Sequence, residues 1–477
     1  MGAGFDFVDQ GQPADRPLVR GEGWFCCRSS ILGSRARPAR SAGFVPKPPG
    51  FWTIVIRPGP PDVLASMKSD VDAEGAAPGS RSFPMAVVAV MIAGACTFLN
   101  VYCTQPLLPY LQEVFRATEV QVSLTVGAVT LSVAIMAPII GMIAESVGRK
   151  KVIVPSLFAM AVPTFLAATA HSLAALIAWR FLQGLFVPGV IAVIIAYINE
   201  EFSGRTGAVM SAYVAGTVFG GFLGRFLTGV IAAHWSWHAA FVVLGVLDLL
   251  GALAVRRWLP LATHFVPAER LLKSFGDTWG HLRNPRLLMI CGMGFSVLFS
   301  LVGVFTYANF YLARPPFLLS TAGLGSVFFV YLLGCVVTPL SGRFHDRNGF
   351  RRTALVAVAM SLGGLILTLS SWLPAVIGGL AVFSSGIFVS QSSATVLTGQ
   401  VAGRARSSAA GLYVTFYYLG GSLGTAVPAW FWLNGGWPGC VALFATMSIV
   451  TLSLGLAGAR SIAAGGEPPG EIIDTAI

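Results

Sequence analysis

Charged residues are scarce in this sequence. Asp, Glu, Lys and Arg make up only 11% of its 477 residues, while 55% are hydrophobic and the mean hydropathy is +0.74. Soluble domains carry roughly 25% charged residues, so a soluble fold of this length is excluded. Apolar runs long enough to cross a bilayer recur between residues 83 and 459. The solvent of most of the chain is therefore lipid.

Constellations for metal, nucleotide or covalent chemistry are also missing. Apart from the adjacent pair Cys26 and Cys27, the seven cysteines have no metal-ligand spacing, and we interpret them as reduced core thiols. No phosphate-binding G-x-x-x-x-G-K-[ST] loop occurs, which argues against an ATP-driven pump. His234 and His238 have helical spacing but no third ligand, and they flank a Trp-Ser-Trp segment typical of a membrane interface. We expect no enzyme activity, no metal and no cofactor.

The apolar region divides at its charges and turn residues into twelve segments. In lipid, every backbone N–H and C=O must be satisfied within its own segment, so each segment is predicted to be a helix. The fold class is therefore an all-α membrane protein. The predicted spans 1 to 12 cover residues 83–105, 120–144, 152–170, 172–197, 206–231, 237–257, 287–311, 321–341, 353–371, 373–397, 407–431 and 437–459.

The cations predict how the chain is oriented. Most Lys and Arg residues follow even-numbered spans, whereas the connections after odd-numbered spans hold little beyond Arg116 and Arg314. Short cation-rich connections stay in the cytoplasm, so both termini are predicted to be cytoplasmic. The net charge of +11 thus reports topology, and no nucleic-acid partner is expected.

Composition divides the chain into five parts, at residues 1–82, 83–258, 259–286, 287–459 and 460–477. The third part is a cytoplasmic central loop, which separates two bundles of six spans. The first part is rich in Pro, Arg and Gly without a signal-peptide core, and is predicted to be a disordered cytoplasmic extension. The last part is a cytoplasmic tail. Met67 begins a more ordinary cytoplasmic start, which leaves open whether residues 1–66 belong to the mature protein.

One short loop occurs twice. It reads GMIAESVGRKK between spans 2 and 3, and GRFHDRNGFRR between spans 8 and 9. Both copies resemble the G-x-x-x-D-R-x-G-R-R loop of the major facilitator superfamily, with Ser146 and Phe350 where the family has cations. The matching residues are Gly141, Glu145, Gly148, Arg149 and Lys150 in the first copy, and Gly342, Asp346, Arg347, Gly349, Arg351 and Arg352 in the second.

The resemblance implies two pseudo-symmetric six-helix bundles, with a substrate site between them and alternating access by rocking. It also implies that Glu145 faces the start of span 11 and Asp346 the start of span 5. There, each carboxylate meets the positive end of a helix and latches the cytoplasmic side in the outward-open state. Alternatively, the cations of the two loops only set topology.

Two further motifs resemble those of the family's proton-coupled exporters. Arg180, Gln183 and Gly184 in span 4 match R-x-x-Q-G, whose arginine is implicated in proton coupling in relatives. Span 5 looks like the antiporter motif, although Gly221 stands where a proline is usual. Its matching residues are Gly216, Gly220, Gly221, Gly224 and Arg225. The segments FLNVYCTQPLLPYL and YYLGGSLG are similar to a bacterial branch often labelled arabinose efflux permeases, which implies a multi-pass protein of the bacterial inner membrane.

We assign Arg180, Gln183, Arg225 and Asp248 to proton coupling. Each arginine either faces a polar partner or extends its side chain to the outer headgroups. Asp248 is the only deeply placed acid, and it is either a proton site or a structural hydrogen-bonding group. Span 1, where many relatives carry an acid, has none. An importer or uniporter is therefore the alternative to a proton-coupled exporter.

The candidate substrate-binding side chains are uncharged: Asn100, Tyr102, Gln105, Tyr307, Asn309, Gln391, Tyr413 and Tyr417. They suit a neutral or amphipathic organic solute, although each fits an interhelical contact equally well. Glycines on one face of span 5 and of span 11 permit either rocking of two domains or ordinary tight packing, at Gly216, Gly220, Gly224, Gly420, Gly421 and Gly424. We expect a monomer whose partners are a small-molecule solute, protons and the lipid bilayer.

Overall fold

The computed structural model describes residues 82–202, 204–262, 283–401 and 406–464. Helices and short turns make up these residues, and no strand occurs among them, so the predicted all-α fold class is confirmed. Residues 1–81 of the predicted extension, most of the central loop and the end of the tail lie outside the described residues.

The helices follow the predicted spans and extend most of them. Spans 1 to 6 comprise Ser82–Val101 with Leu108–Phe115, Glu119–Val147, Arg149–Ala167, Leu173–Phe186 with Pro188–Glu201, Thr206–His234 and Trp237–Trp258. Spans 7 to 12 comprise Pro285–Ala313, Thr321–Val327, Gly334–Leu367 (the rest of span 8 and all of span 9), Leu373–Val401, Arg406–Ala426 and Pro428–Ala464. Short 3-10 helices occur at Gln105–Leu107 and Phe328–Leu333.

Length and composition allow these helices to cross a membrane. Ten stretches of the described residues are apolar for at least 18 residues. One of them, Thr321–Leu367, turns at Gly349 and therefore holds two spans. Arg406–Ala426 provides a further helix at the position predicted for span 11. The described residues thus accommodate the predicted twelve spans.

Side-chain caps explain where spans 2, 4, 6 and 8 begin. The first backbone N–H groups of a helix have no partner within it, and a Ser or Thr just before the helix accepts from one of them. Thr118 Oγ1 accepts from the backbone N–H of Gln121, and Gln121 Oε1 accepts from the backbone N–H of Thr118. The side chains of Ser172, Ser236 and Ser320 likewise accept from a backbone N–H at the starts of spans 4, 6 and 8. We call the end of the bundle that holds these caps the outer end, following the predicted topology, and the opposite end the inner end.

The packing of the spans repeats between the first six and the last six, here called the N half and the C half. Span 1 packs against span 5 in the N half, and span 7 against span 11 in the C half. Between the halves, span 2 packs against span 11 and span 5 against span 8. Span 8 is the counterpart of span 2, and span 11 is the counterpart of span 5. The two contacts between the halves are therefore equivalent, as a twofold internal repeat requires.

Candidate functional site

The deepest acid of the N half has hydrogen-bond donors on two other spans. Asp248 in span 6 is fully buried. Asn100 Nδ2 in span 1 donates to both carboxylate oxygens, at 2.7 and 2.8 Å, and Thr164 Oγ1 in span 3 donates to one of them at 3.1 Å. A buried charge is stable only when it is paired or well hydrogen-bonded, and these three bonds meet that need.

Gln183 connects this acid cluster to a buried arginine. Its Nε2 donates to Asn100 Oδ1 at 2.8 Å and to Thr164 Oγ1 at 2.6 Å, while its Oε1 accepts from Arg180 Nη1. Arg180, also fully buried, lies within electrostatic range of Asp248. We call Asn100, Thr164, Arg180, Gln183 and Asp248 the polar network. It joins spans 1, 3, 4 and 6 and holds one arginine and one acid.

The remaining bonds of Arg180 fix its guanidinium inside the N half. Nε donates to the carbonyl of Thr125 at 3.1 Å, and Nη2 donates to the carbonyl of Val101 at 2.8 Å. All three guanidinium nitrogens therefore have acceptors. Of the two predicted placements, the structure selects a polar partner and not the outer headgroups. Thr164 was missed by sequence reasoning, because one threonine in an apolar span has no distinguishing pattern.

Arg225 lies in a different place, where the two halves meet. Its side chain is 2% exposed, so it does not extend to the headgroups either. Nε donates to Gln105 Oε1 at 2.7 Å and Nη1 to its own helix at the carbonyl of Gly221, at 2.6 Å. Three rings surround the guanidinium carbon, at 4.7 Å for Tyr102 of span 1, 4.7 Å for Phe328 and 4.5 Å for Tyr331.

The ring set around Arg225, here called the aromatic cage, combines both halves. Tyr102 belongs to the N half, whereas Phe328 and Tyr331 lie in the 3-10 segment of span 8. Rings over a guanidinium attract it through the negative faces of their π systems. Tyr331 and Phe328 gave no signal in the sequence, because 11% of the residues are aromatic and nothing in their spacing distinguishes these two.

Tyrosines of span 11 continue this aromatic surface. Tyr413 and Tyr417 stack with ring centres 6.0 Å apart, and the Tyr413 hydroxyl donates to Gln391 Oε1 at 3.2 Å. Tyr417 lies within electrostatic range of Tyr102 and Tyr331. Of the predicted substrate residues, the structure therefore places Tyr102 against Arg225. Tyr417, Tyr413 and Gln391 form a connected set on spans 11 and 10.

The other predicted substrate residues have different surroundings. Asn100 belongs to the polar network inside the N half and not to a surface between the halves. The Tyr307 hydroxyl donates to the carbonyl of Thr425 at 3.0 Å, and Asn309 donates to a carbonyl of its own helix. The alternative of an interhelical contact thus describes Asn100 and Tyr307, whereas Asn309 bonds within its own helix. Gln105 does bridge the halves, since its Nε2 donates to Thr306 Oγ1 at 3.2 Å.

An ion pair joins the halves at the outer end. Glu119 at the start of span 2 accepts from Arg314, just after span 7, with 2.6 Å between Oε1 and Nη2. The Arg314 guanidinium lies 5.0 Å from the ring centre of Trp432. We call these three residues the outer clasp. The inter-half hydrogen bonds, ion pairs and cation–π contacts of the described residues all lie towards the outer end, so the structure is closed there.

The two repeated loops turn at glycines. Gly148 has φ of 105° and Gly349 has φ of 73°, a region that strains any side chain, so both turns require glycine. In the first loop, Arg149 bonds to Glu200 at the end of span 4, with 2.7 Å between Nη2 and Oε1. Such contacts anchor the loop within the N half.

The predicted latch acids lie at the inner end. The side chain of Glu145 is outside the described residues. Asp346 is exposed and, within the part of the chain that the structure describes, forms no hydrogen bond or ion pair. The neighbouring cations of the second loop are also exposed, at Arg347, Arg351 and Arg352. The latches are predicted for the outward-open state, whereas this structure is closed at the outer end.

The glycine faces pack inside each half and not between the halves. A Cβ added at Gly216, Gly220 or Gly224 would clash with a backbone carbonyl of span 1, and one at Gly420 or Gly424 with a carbonyl of span 7. These contacts are tight packing inside each half, and rocking of the two domains stays a prediction. Gly421 is different, because its position is close to both Leu298 and Thr130 of span 2.

The histidine pair shows no metal geometry. His234 bonds through Nδ1 to the carbonyl of Val230 at 2.9 Å, and the His238 ring stacks on Trp237. Among the described residues, no group of three His, Cys, Asp or Glu side chains converges as metal ligands.

Comparisons with known proteins agree with these features. The profile of the Major Facilitator Superfamily matches residues 90–425. An uncharacterized transporter of Buchnera aphidicola subsp. Schizaphis graminum (strain Sg) is 32% identical over 384 residues, which are 79% of this chain and 92% of that protein. The inner membrane transport protein YnfM of Escherichia coli (strain K12) is 32% identical over 379 residues, which are 79% of this chain and 91% of that protein.

A solved structure shows the same fold. It is that of a bacterial homologue of the human lysosomal transporter Spinster, in an inward-facing and unoccupied conformation. The TM-score is 0.66, with 14% sequence identity over 82% of this chain and 100% of the other. The likeness supports the arrangement of the spans. The polar network, the aromatic cage and the outer clasp are built on this arrangement.

Proposed function

Because the chain belongs to the Major Facilitator Superfamily, we propose that it is a secondary active transporter that exports a small organic solute in exchange for protons. The solute binds between the N half and the C half, and the two halves alternate its exposure to the two sides of the membrane. The protein acts as a monomer in the bacterial inner membrane, with both termini in the cytoplasm and the division at residues 259–286 between two six-span bundles. A drug, a sugar or a metabolite fits this description.

The observation that supports proton coupling is the polar network. A proton-driven exporter needs a group that binds and releases a proton within the membrane, and Asp248 is the only buried acid among the described residues. When its carboxylate gains a proton, it loses an acceptor for Asn100 Nδ2. The amide of Asn100 then reorients, and Gln183 and Arg180 rearrange with it because their bonds form one chain.

The alternative is a uniporter or an importer. The same bonds favour it, because Asp248 already has three good donor contacts and no exposed surface, as a purely structural carboxylate has. The two functions differ in whether a proton gradient drives solute movement.

Purified protein in proteoliposomes tests the proposal. The vesicles are loaded with a panel of toxic dyes and drugs, and efflux is followed with and without a pH gradient. We expect the gradient to drive efflux and a protonophore to abolish it. Asp248→Asn keeps the shape of the side chain, so its thermal stability should stay close to that of the wild type while gradient dependence disappears. Glu113→Gln, which changes an exposed acid at the outer end, is the matched control. If efflux by the wild type is the same with and without the pH gradient, the protein is a facilitated transporter and the antiport proposal is refuted.

We also propose that Glu145 and Asp346 act as the inner latches of the outward-open state. Each acid comes three residues before a glycine with positive φ, Gly148 or Gly349, at which the chain turns into the next span. A carboxylate at a helix N-terminus contributes about 0.3 to 1 kcal/mol. Contacts of that size favour the outward-open state and still allow the protein to leave it.

A further inference from the structure

The two buried arginines differ in how their charge is balanced. Arg180 has the carboxylate of Asp248 within electrostatic range and acceptors for all three nitrogens. Arg225 has no carboxylate partner among the described residues. Its polar partners are the side-chain oxygen of Gln105 and the carbonyl of Gly221, and the rings of Tyr102 and Tyr331 lie over the guanidinium.

The guanidinium of Arg225 also has unused donors. Nε and Nη1 each bond to one oxygen, whereas Nη2 forms no hydrogen bond with the described residues. A buried cation in this condition is costly unless an anion reaches it. Arginine presents its N–H groups as a planar fork that matches the two oxygens of a carboxylate, so a carboxylate is the natural complement of the free edge.

Arg225 is 2% exposed in this structure, but it lies where the two halves meet, so movement of the halves would bring it to a solute between them. The aromatic cage draws its rings from both halves, and Tyr417 of span 11 lies within electrostatic range of Tyr102 and Tyr331. Tyr331 continues into further aromatic surface through Phe388 of span 10, with ring centres 5.8 Å apart. An anionic group on the guanidinium would therefore have its organic body against rings.

We propose that Arg225 is the anion-binding residue of the solute site, and that the solute is an amphipathic organic anion with a ring-containing body. This inference rests on the proposed function and narrows its substrate class. The aromatic cage holds the guanidinium in place, Nη2 binds the anionic group, and the tyrosines of span 11 contact the body. Because the cage residues belong to both halves, the anion binds at a position whose geometry changes when the halves move relative to each other.

A paired-ligand measurement on the full-length protein in detergent tests this. The probes are naphthalene-1-carboxylate and naphthalene-1-carboxamide, which share a ring body and differ in charge. Binding is measured as a Kd from the ligand-dependent shift of the thermal unfolding temperature. We expect the carboxylate to bind the wild type about tenfold or more tightly than the amide, the scale of a charge-assisted hydrogen bond. This comparison needs no variant.

Two substitutions locate the effect. Arg225→Gln should remove the preference, and Arg225→Lys should keep part of it, since a point charge replaces the fork. Arg257→Gln, which changes an exposed arginine at the inner end of span 6, should leave the preference intact. Equal Kd values for the two probes, no binding by the carboxylate, or an unchanged preference in Arg225→Gln would each overturn the inference.

The vesicle assay separates this result from the proposed function. Gradient-driven efflux of neutral dyes, together with equal Kd values for the two probes, leaves proton-coupled export standing and removes the anion site. A carboxylate preference that depends on Arg225, together with efflux that does not depend on the pH gradient, leaves the anion site standing and removes proton-coupled export.

Discussion

The outer clasp should set how often the outer end opens. Glu119 is mostly buried, with 12% of its side chain exposed, whereas 54% of the Arg314 side chain is exposed. Water screens such a half-exposed pair, so the 2.6 Å ion pair stabilises the closed outer end by about 1 kcal/mol at most. The cation–π contact of Arg314 with Trp432 lies within the C half, so it positions the guanidinium for Glu119 and does not itself join the halves.

Two substitutions remove this ion pair from either side. Glu119→Gln keeps a hydrogen-bond acceptor, so it should raise the open population by up to about fivefold. Arg314→Gln removes the same ion pair together with a ring contact inside the C half, so its increase should also be about fivefold. Similar increases in the two variants follow if the ion pair is the contact that joins the halves.

Cysteine labelling measures the open population. Ser123 is fully buried at the outer end of span 2, so Ser123→Cys reports when that end opens. A membrane-impermeant maleimide is added from the outside, and modification of position 123 is followed by peptide mass spectrometry. The control is Glu113→Gln, which removes a nearby exposed acid outside the clasp. Equal labelling rates in Glu119→Gln and Glu113→Gln would refute the reasoning, whereas recovery in the charge-swapped pair Glu119→Arg with Arg314→Glu would support it.

Two further substitutions have clear expectations. Gly220→Ala should lower the thermal stability of the detergent-purified protein by about 1 to 3 kcal/mol, because its Cβ would clash with the backbone of span 1, while Gly207→Ala in the same span meets nothing within 4 Å and should not change it. Asp346→Asn and Glu145→Gln should slow transport in the vesicle assay with normal insertion and folding. Unimpaired transport by the double variant counts against the latches.

The fold could be predicted from the sequence because lipid leaves so few choices. A bilayer demands helices of a certain length, and the repeated loop with Gly148 and Gly349 then fixed the twofold division of the spans. Capping residues such as Ser172 and Ser236 mark the start of a helix that begins at the next residue, so neighbouring residues are enough to recognise them. These features depend on hydropathy and on residues close together in the chain, which a sequence displays directly.

The site was harder to predict, because it depends on which face of each helix meets which neighbour. Asn100 and Tyr102 are two residues apart in span 1, yet the first points into the N half and the second towards the C half. Periodicity does not distinguish them, since both faces are buried. Thr164 and Tyr331 became part of the site only through contacts with distant spans, for which neither composition nor spacing gives a sign.

The backbone contacts of span 5 with span 1 have a consequence for biosynthesis. The carbonyls of Met91, Ala95 and Leu99 enter the membrane early, but the glycines that cover them are about 125 residues further along the chain. The ribosome must therefore deliver four more helices before the first one finds its closest neighbour. The same delay recurs between spans 7 and 11, because Gly420 and Gly424 cover the carbonyls of Phe295 and Phe299, so in each half this packing forms only when the fifth helix has been made.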